Sequence, residues 1–456
     1  MTDPRDTAAV FDAPARRPRT VRRLSVSSDH PSARRRTSPL ASLRALRNEF
    51  PRVVLVLAAG DLVASFGFSL FFPFLTIYLV QTLGASAAQA GLVVAAYSVF
   101  SVVSGIAGGW LADRIGRRPV LIGSISCTAV LVLSMAMATE VWHVALVMLL
   151  LGCIDPAFVP AARAAVADTV DEPRRPRAFG LLSVANAIGW IAGPVIGAGL
   201  SSFGYPLLFG ISGVLVGSYA VIAFRWLPET RPRPAQPARE HPDGSPDLPD
   251  VPEGLDPNRG LRLRVFAALL PLLAITHGLT FLWVTTLPIY AAVSLGLPTP
   301  VWGLLFGLNG LLIVLFQLRI AGASERRSKP RVLAAGVSLY AIGLAPVALL
   351  SSSTAVVGLA ITIAVVTLGE MLIGPTVAAF VSDLSPENRR GTYQGIALAA
   401  GSIGSGIGPP IAGHVLDQSH GQALWLVAAA VLAVVGVGFL VLARWTDRLA
   451  TADAAT

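Results

Sequence analysis

Three carboxylates and one imidazole stand where the chain has almost nothing else to ionise: Asp61, Asp155, His277 and Glu370 each lie deep in a long apolar run. Asp61 is nine residues inside Arg52, which at helical rise places it about 14 Å into a hydrocarbon layer of roughly 30 Å. The same count puts Asp155, His277 and Glu370 near the midplane, and no other run holds an ionisable residue so deep. A charge at that depth is costly unless it meets a cavity or a partner. The chemistry open to such a carboxylate is reversible protonation, neutral in oil and charged where water or a cation reaches it. A second reading stays open for each acid, a carboxylate satisfied by neighbouring Ser, Asn or helix-break carbonyls. Asp155 adds a third, because Pro156 follows it and frees backbone groups that the acid could cap. His277, alone on its run, reads as a hydrogen-bonded packing residue or a proton carrier. Arg163, two turns beyond Asp155 on about the same face, either pairs with Asp61 or Asp155 or snorkels to the interface.

The elements that must position these groups are membrane helices. Only 13% of residues are charged and 54% are apolar, a balance foreign to a soluble core. Taking about 20 apolar residues per crossing, spans are expected over 52–80, 87–110, 119–139, 143–168, 177–202 and 206–226, then over 263–293, 301–320, 332–350, 354–381, 392–414 and 423–443. One class of loops collects Arg114, Arg117, Arg118, Arg174, Arg175, Arg231, Arg326, Arg327, Lys329, Arg389 and Arg390, and the opposite class holds no Lys or Arg. Positive loops stay on the cytoplasmic side, so both termini are expected there, in a multi-pass protein of the cell membrane. The net charge of +9 is thereby explained by topology rather than by nucleic acid. Cys127 and Cys153 lie inside apolar runs and indicate no disulfide framework.

Two charged knots, Gly109 to Leu121 and Ala321 to Leu333, echo one another, with Asp113 and Arg114 answered by Glu325 and Arg326. One constant offset pairs Tyr78 with Tyr290, Gly84 with Gly296, Asp113 with Glu325 and Val120 with Val332. A slightly larger one pairs Asp155 with Glu370, Asp168 with Asp383, Gly189 with Gly404 and Pro194 with Pro409. The chain is one unit used twice, and six spans per copy make the repeat parallel about the membrane normal. The expected organisation is a basic, disordered cytoplasmic tail over 1–50, six-helix bundles over 51–227 and 262–444, a cytoplasmic linker over 228–261 and a second tail over 445–456.

Three motifs carry a resemblance. Gly109, Leu111, Ala112, Asp113, Arg114, Gly116, Arg117 and Arg118 follow G-x-L-A-D-R-x-G-R-R with Trp110 offsetting its start; Gly189, Gly193, Pro194 and Gly197 form G-x-x-x-G-P-x-x-G; and FFPFLTIYL surrounds Pro73 and Tyr78. Over about 51–442 the chain resembles the major facilitator superfamily, and within it the twelve-span drug:proton antiporters. The resemblance implies an all-α membrane protein of twelve helices in two pseudo-symmetric six-helix bundles around a central cavity lined by the first, fourth, seventh and tenth spans, those of the four buried groups. It implies secondary active transport by alternating access, proton-coupled efflux of drugs or other amphipathic molecules, with small-molecule substrate and protons as partners, no cofactor or metal, and a monomer in the bilayer. It also implies that the knot with Asp168 latches the outward-facing state. One departure is the fourth span, where these antiporters carry an Arg before Gly-x-Gly and this chain reads LLLGCIDP at 149–156. Arg163 is the residue left to take over part of that work.

Asp113 is expected to accept backbone N–H groups at a neighbouring helix start while Arg117 bridges to Asp168. The glycines of the fifth span, with Gly404, Gly408, Pro409 and Pro410, are expected to form a close-packed hinge between the halves. Tyr78, Tyr97, Phe281, Trp283 and Tyr290 either line an amphipathic substrate cavity or pack as core and belt residues. Two rivals remain: a proton-coupled carrier of one metabolite, a sugar or an organic anion, and a non-transporting membrane sensor. An enzyme is not expected, since no metal-ligand cluster, nucleophile elbow or P-loop is present.

Overall fold

The computed structural model describes residues 50–171, 174–231, 258–324, 327–386 and 389–453. The expected tail over 1–49, most of the linker, and Glu325 and Arg326 of the second knot lie outside the described residues.

Among the described residues, twelve helices are long and apolar enough to cross a bilayer. In chain order they are α1 Arg52–Gln81, α2 Ala87–Ile115, α3 Arg117–Met135, α4 Val141–Thr169, α5 Arg175–Ser201 and α6 Tyr205–Trp226. The second six are α7 Gly260–Ser294, α8 Thr299–Ser324, α9 Lys329–Leu349, α10 Ala355–Leu384, α11 Arg390–Asp417 and α12 Gly421–Asp453. The last runs past the expected Ala443, so residues 445–453 continue its helix. The first six and the last six form two bundles.

Prolines break the helices locally. Pro73 sits in a 3-10 turn over Phe72–Phe74, Pro156 in one over Asp155–Ala157, and α7 passes through Pro288 into a π-helical end over Tyr290–Ser294. The two copies then close in the same way. Gly84 (φ 69°) and Gly296 (φ 67°) sit in the left-handed region, where Ala85 N donates to Leu79 O at 2.9 Å and Leu297 N to Ala291 O at 2.8 Å. This is the six-to-one closure of a helix C-terminus that glycine makes cheap.

Small residues set the helix spacing. A Cβ on Gly189, Gly193 or Gly197 would fall within 2.6 Å of Phe66 N, 1.9 Å of Ser69 Oγ and 2.3 Å of Leu70 O. These glycines therefore press α5 onto α1 inside the first bundle, and Ser69 Oγ donates to Gly189 O at 2.9 Å. Gly404 and Gly408 do the same for α11 on α7, against Ala274 O and Gly278 O. The expectation of glycines at the boundary between halves is corrected here: they pack within each bundle, because backbone must approach backbone there, and neighbouring positions make the boundary. Pro194 O and Ala198 meet Gly303 of α8, and Pro409 O meets Gly91 of α2.

The described contacts between bundles gather at the end without Arg or Lys. Gln81 Nε2 donates to Ala292 O at 3.4 Å, and Gly413 abuts Ala87. Asp417 Oδ1 and Oδ2 accept from Ala87 N at 2.7 Å and Ala88 N at 2.9 Å. At the Arg-bearing end Trp110 and Ile115 are exposed and the Asp113 side chain is 71% accessible. The contacts of Asp417, Gln81 and Gly413 close the molecule on the Arg-poor side.

Candidate functional site

Asp61 sits on α1 beside Gly60, whose missing side chain leaves room for the Tyr219 ring of α6. Its Oδ1 is 3.4 Å from Ser65 Oγ and 3.4 Å from Asn186 Nδ2, and Asn186 donates more tightly to Ser65 Oγ at 2.6 Å. The acid is thus only loosely held, and it faces a cavity of about 500 Å3 on the basic side that Arg163, Asn186 and Tyr219 also line. Arg163 is exposed and makes no hydrogen bond or ion pair among the described residues, yet its charge is felt at Asp61. The buried Tyr219 hydroxyl has no hydrogen-bond partner among the described residues. A carboxylate, a guanidinium and an unsatisfied phenol around one hollow can exchange a proton and hold a polar group of a guest.

Asp155 is held differently. Its Oδ1 accepts from Thr128 Oγ1 at 3.1 Å and its Oδ2 from Tyr97 Oη at 3.3 Å. Ser124 Oγ donates to Ile154 O at 2.7 Å and Asp155 O at 3.2 Å, so a hydroxyl serves the carbonyls at the Pro156 break, while the Asp155 carboxylate takes hydroxyls from other helices. A smaller cavity of about 150 Å3 touches Asp155, Tyr97, Thr128 and Trp190. It shares Asn186 and Phe158 with the Asp61 cavity.

Glu370 repeats this site in the second bundle. Asn309 Nδ2 donates at 2.9 Å to Glu370 Oε2 and at 2.9 Å to Thr367 Oγ1, and Tyr340 lies within reach of the charge, its hydroxyl taking the Trp283 indole N–H. The offset that pairs Asp113 with Glu325 places Tyr97 on Asn309 and Thr128 on Tyr340. Both acids are therefore flanked by residues from equivalent positions, although the residue types differ.

The remaining sequence candidates separate. Tyr97 reaches its acid. Tyr78 is buried, donates to Ala138 O at 3.0 Å and packs on Tyr205 and Phe209. Trp283 stacks on Phe306, and Phe281 packs against the first bundle's core. Tyr290 lies against Trp425 and borders a hollow at the Arg-poor end. His277 Nδ1 is 2.9 Å from Leu273 O of its own helix and rests against Gly401, in α7 to α11 packing.

At the basic end Arg117 is the hub. It contacts Asp113 at 3.1 Å, Asp168 at 3.0 Å and Ala112 O at 2.9 Å, with its side chain only 12% accessible. The bridge to Asp168 is the expected one. The helix start, however, is capped by Glu229 and not by Asp113: Glu229 accepts from Arg117 N at 3.0 Å and Arg118 N at 3.2 Å. Asp113 precedes the turn at Gly116 (φ 114°) and pairs with the Arg117 side chain while staying largely exposed, whereas Glu229 returns over the turn, filling the place of a Gly116 side chain. Burial works to raise the Glu229 carboxyl, but the backbone donors of Arg231, Arg117, Arg118 and Thr230 outweigh it and hold it below the usual carboxylate range. Arg118 donates to Phe224 O, and Arg114 stacks on Trp110. Sequence reasoning missed Glu229, Tyr219, Thr128 and Asp417. Only the Tyr97 and Thr128 positions had a signal, their register with Asn309 and Tyr340.

Comparison with known proteins fits this geometry. The chain is 27% identical over 365 residues to the uncharacterized MFS-type transporter YqjV of Bacillus subtilis, covering 78% of this chain and 85% of YqjV. It is 26% identical over 395 residues to the multidrug resistance protein MdtH of Cronobacter sakazakii, covering 85% of this chain and 92% of MdtH. Among solved structures, a peptide transporter POT in complex with sulfate superposes with TM-score 0.72 at 17% identity, over 87% of this chain and 96% of that one, which is likeness of fold. The sequence model of the Major Facilitator Superfamily matches residues 57–409 and, in a second match, 303–453, so the chain belongs to that family of membrane transporters.

Proposed function

We propose that the protein is a proton-coupled antiporter that exports amphipathic small molecules, drugs among them, by alternating access between its two bundles. The observation that carries this reading is the loosely held Asp61 facing a hollow on the basic side with Arg163, Asn186 and the unpartnered Tyr219 hydroxyl. In this reading the basic side is cytoplasmic, the structure is the inward-open state of a monomer in the cell membrane, and the bundles are the units over 51–227 and 262–444. A substrate that enters from the basic side displaces a proton from Asp61 or Asp155, whose cavities adjoin, into the water on that side, and a proton taken up from the opposite side reprotonates the acid as the substrate leaves there. Glu370 supplies the matching acid of the second bundle. The name of MdtH as a multidrug resistance protein supports the substrate class. The Arg117, Asp113 and Asp168 cluster is the gate that engages when the basic side closes.

The test is transport in proteoliposomes with an imposed pH gradient, recording proton movement on addition of lipophilic cations and neutral drugs. Asp61→Asn, Asp155→Asn and Glu370→Gln are expected to lower coupled flux, with Asp61→Asn the most severe. Full proton-driven transport in all three variants would falsify the assignment.

A further inference from the structure

Outside both acid sites, the membrane-facing surface of the second bundle opens at its basic end into a groove of about 580 Å3 between α8 and α9. Both helices pack on α10, which forms the floor. The shaft is hydrocarbon, with Leu339, Leu368 and Leu372 along it, and the rim carries Arg327, Arg331 and the Ser328 hydroxyl.

Among the described residues the charges at this rim do not cancel. Lys329 is paired with Asp383, and Arg331 with Asp447 at 2.6 Å while keeping 59% of its side chain accessible. Arg327 is exposed and has no acid or side-chain hydrogen bond among the described residues. The first bundle closes the corresponding place with its own carboxylate, Glu229 on the start of α3. The start of α9 at Ser328 has no side-chain cap. A cationic rim above an apolar shaft at the edge of the bilayer complements one molecule at both ends, a lipid whose acyl chain fills the shaft and whose phosphate meets the arginines.

We propose that this groove is a binding site for an anionic phospholipid of the leaflet on the basic side, its phosphate on Arg327 and Arg331 and one acyl chain over Leu339, Leu368 and Leu372. The net negative charge matters, because the amine of a zwitterionic headgroup would be brought up to the same arginines.

Native mass spectrometry of the full chain released from micelles containing equal phosphatidylglycerol and phosphatidylcholine tests the proposal. Wild type is expected to retain phosphatidylglycerol preferentially. Arg327→Gln, an exposed change that leaves the helices intact, is expected to reduce that retention about fivefold, the worth of one basic residue at a membrane surface. Leu372→Trp fills the shaft and keeps both arginines, and is expected to reduce it as well. Asp447→Asn frees Arg331 and is expected to increase it. Inorganic phosphate at millimolar concentration is expected to leave the lipid bound. Equal retention of the two lipids, retention unchanged in Arg327→Gln or Leu372→Trp, or displacement by phosphate each overturns the assignment.

Discussion

Lys329 and Asp383 form an ion pair in the second bundle at the positions that the internal repeat assigns to Arg117 and Asp168 in the first. The two pairs share a position but not an environment. Arg117 and Asp168 are 12% and 15% accessible, whereas Lys329 and Asp383 are 29% and 57% accessible. Exposed pairs contribute about 0.2–1 kcal/mol, while removing one partner of a buried pair costs about 3–5 kcal/mol. Double-mutant cycles on unfolding in detergent are therefore expected to give a coupling above about 1.5 kcal/mol for Arg117→Gln with Asp168→Asn, and below about 1 kcal/mol for Lys329→Gln with Asp383→Asn. Equal couplings would mean that the first pair is as hydrated as the second.

Glu229 binds the start of α3 through its charge, and its carboxyl is held below the usual range by backbone donors. A group with a depressed folded-state pKa adds stability above its unfolded value and loses it as pH falls through the folded one. Protection of the Arg117 and Arg118 amides is thus expected to persist below pH 4.5, the ordinary value for the group, and to fall only at more acid pH. Hydrogen exchange by mass spectrometry checks this, with Glu229→Gln expected to speed exchange of the peptide several-fold at neutral pH, for a charge-assisted bond in an exposed setting. Exchange in that variant equal to wild type removes the capping role.

Much of this architecture was legible as sequence because a bilayer allows few solutions. The twelve spans follow from apolar length, and the two copies from paired residues such as Gly84 and Gly296, which do occupy the same left-handed turn. That Asp61, Asp155 and Glu370 lie within apolar spans was readable for the same reason. What surrounds them was not, since hydrogen-bond partners come from other helices: Thr128 and Tyr97 reach Asp155 across the bundle, and Asn309 reaches Glu370 from α8. Tyr78 and Tyr290 illustrate the limit on aromatics, whose burial depends on the rotational setting of each helix and is invisible in composition. Glu229 was hidden because a cap is recognised by where the chain returns in space.

Asp417 is the counterpart of that cap across the two bundles. Ser86 takes Gln89 N at 3.1 Å within α2's own cap, but Ala87 N and Ala88 N reach a carboxylate only while the Arg-poor end is shut and Asp417 lies over them. Hydrogen bonds to a charged group contribute about 1.5–3 kcal/mol, so Asp417→Ala is expected to shift the population towards an opened Arg-poor side by at least about tenfold. Spin labels at Thr82→Cys and Ser294→Cys, in a background lacking Cys127 and Cys153, read this as a longer distance component. An unchanged distance distribution would show that the glycine contacts alone hold that end.

Gly193 and Gly404 separate two kinds of tight packing. A Cβ at Gly193 meets the Ser69 hydroxyl at 1.9 Å, a side chain that can rotate away at the loss of its bond to Gly189 O. A Cβ at Gly404 meets Ala274 O at 1.8 Å, which is backbone and moves only if α7 and α11 part. Overpacking of a well-filled interior costs about 1–3 kcal/mol, and the backbone clash belongs at the upper end. Gly404→Ala is therefore expected to lower the thermal midpoint in detergent more than Gly193→Ala. The rescue differs too: Ser69→Gly, which removes the clashing hydroxyl, is expected to restore much of the loss in Gly193→Ala and none of that in Gly404→Ala. A reversed order, or rescue of both, would place the constraint in side chains rather than in the approach of the two backbones.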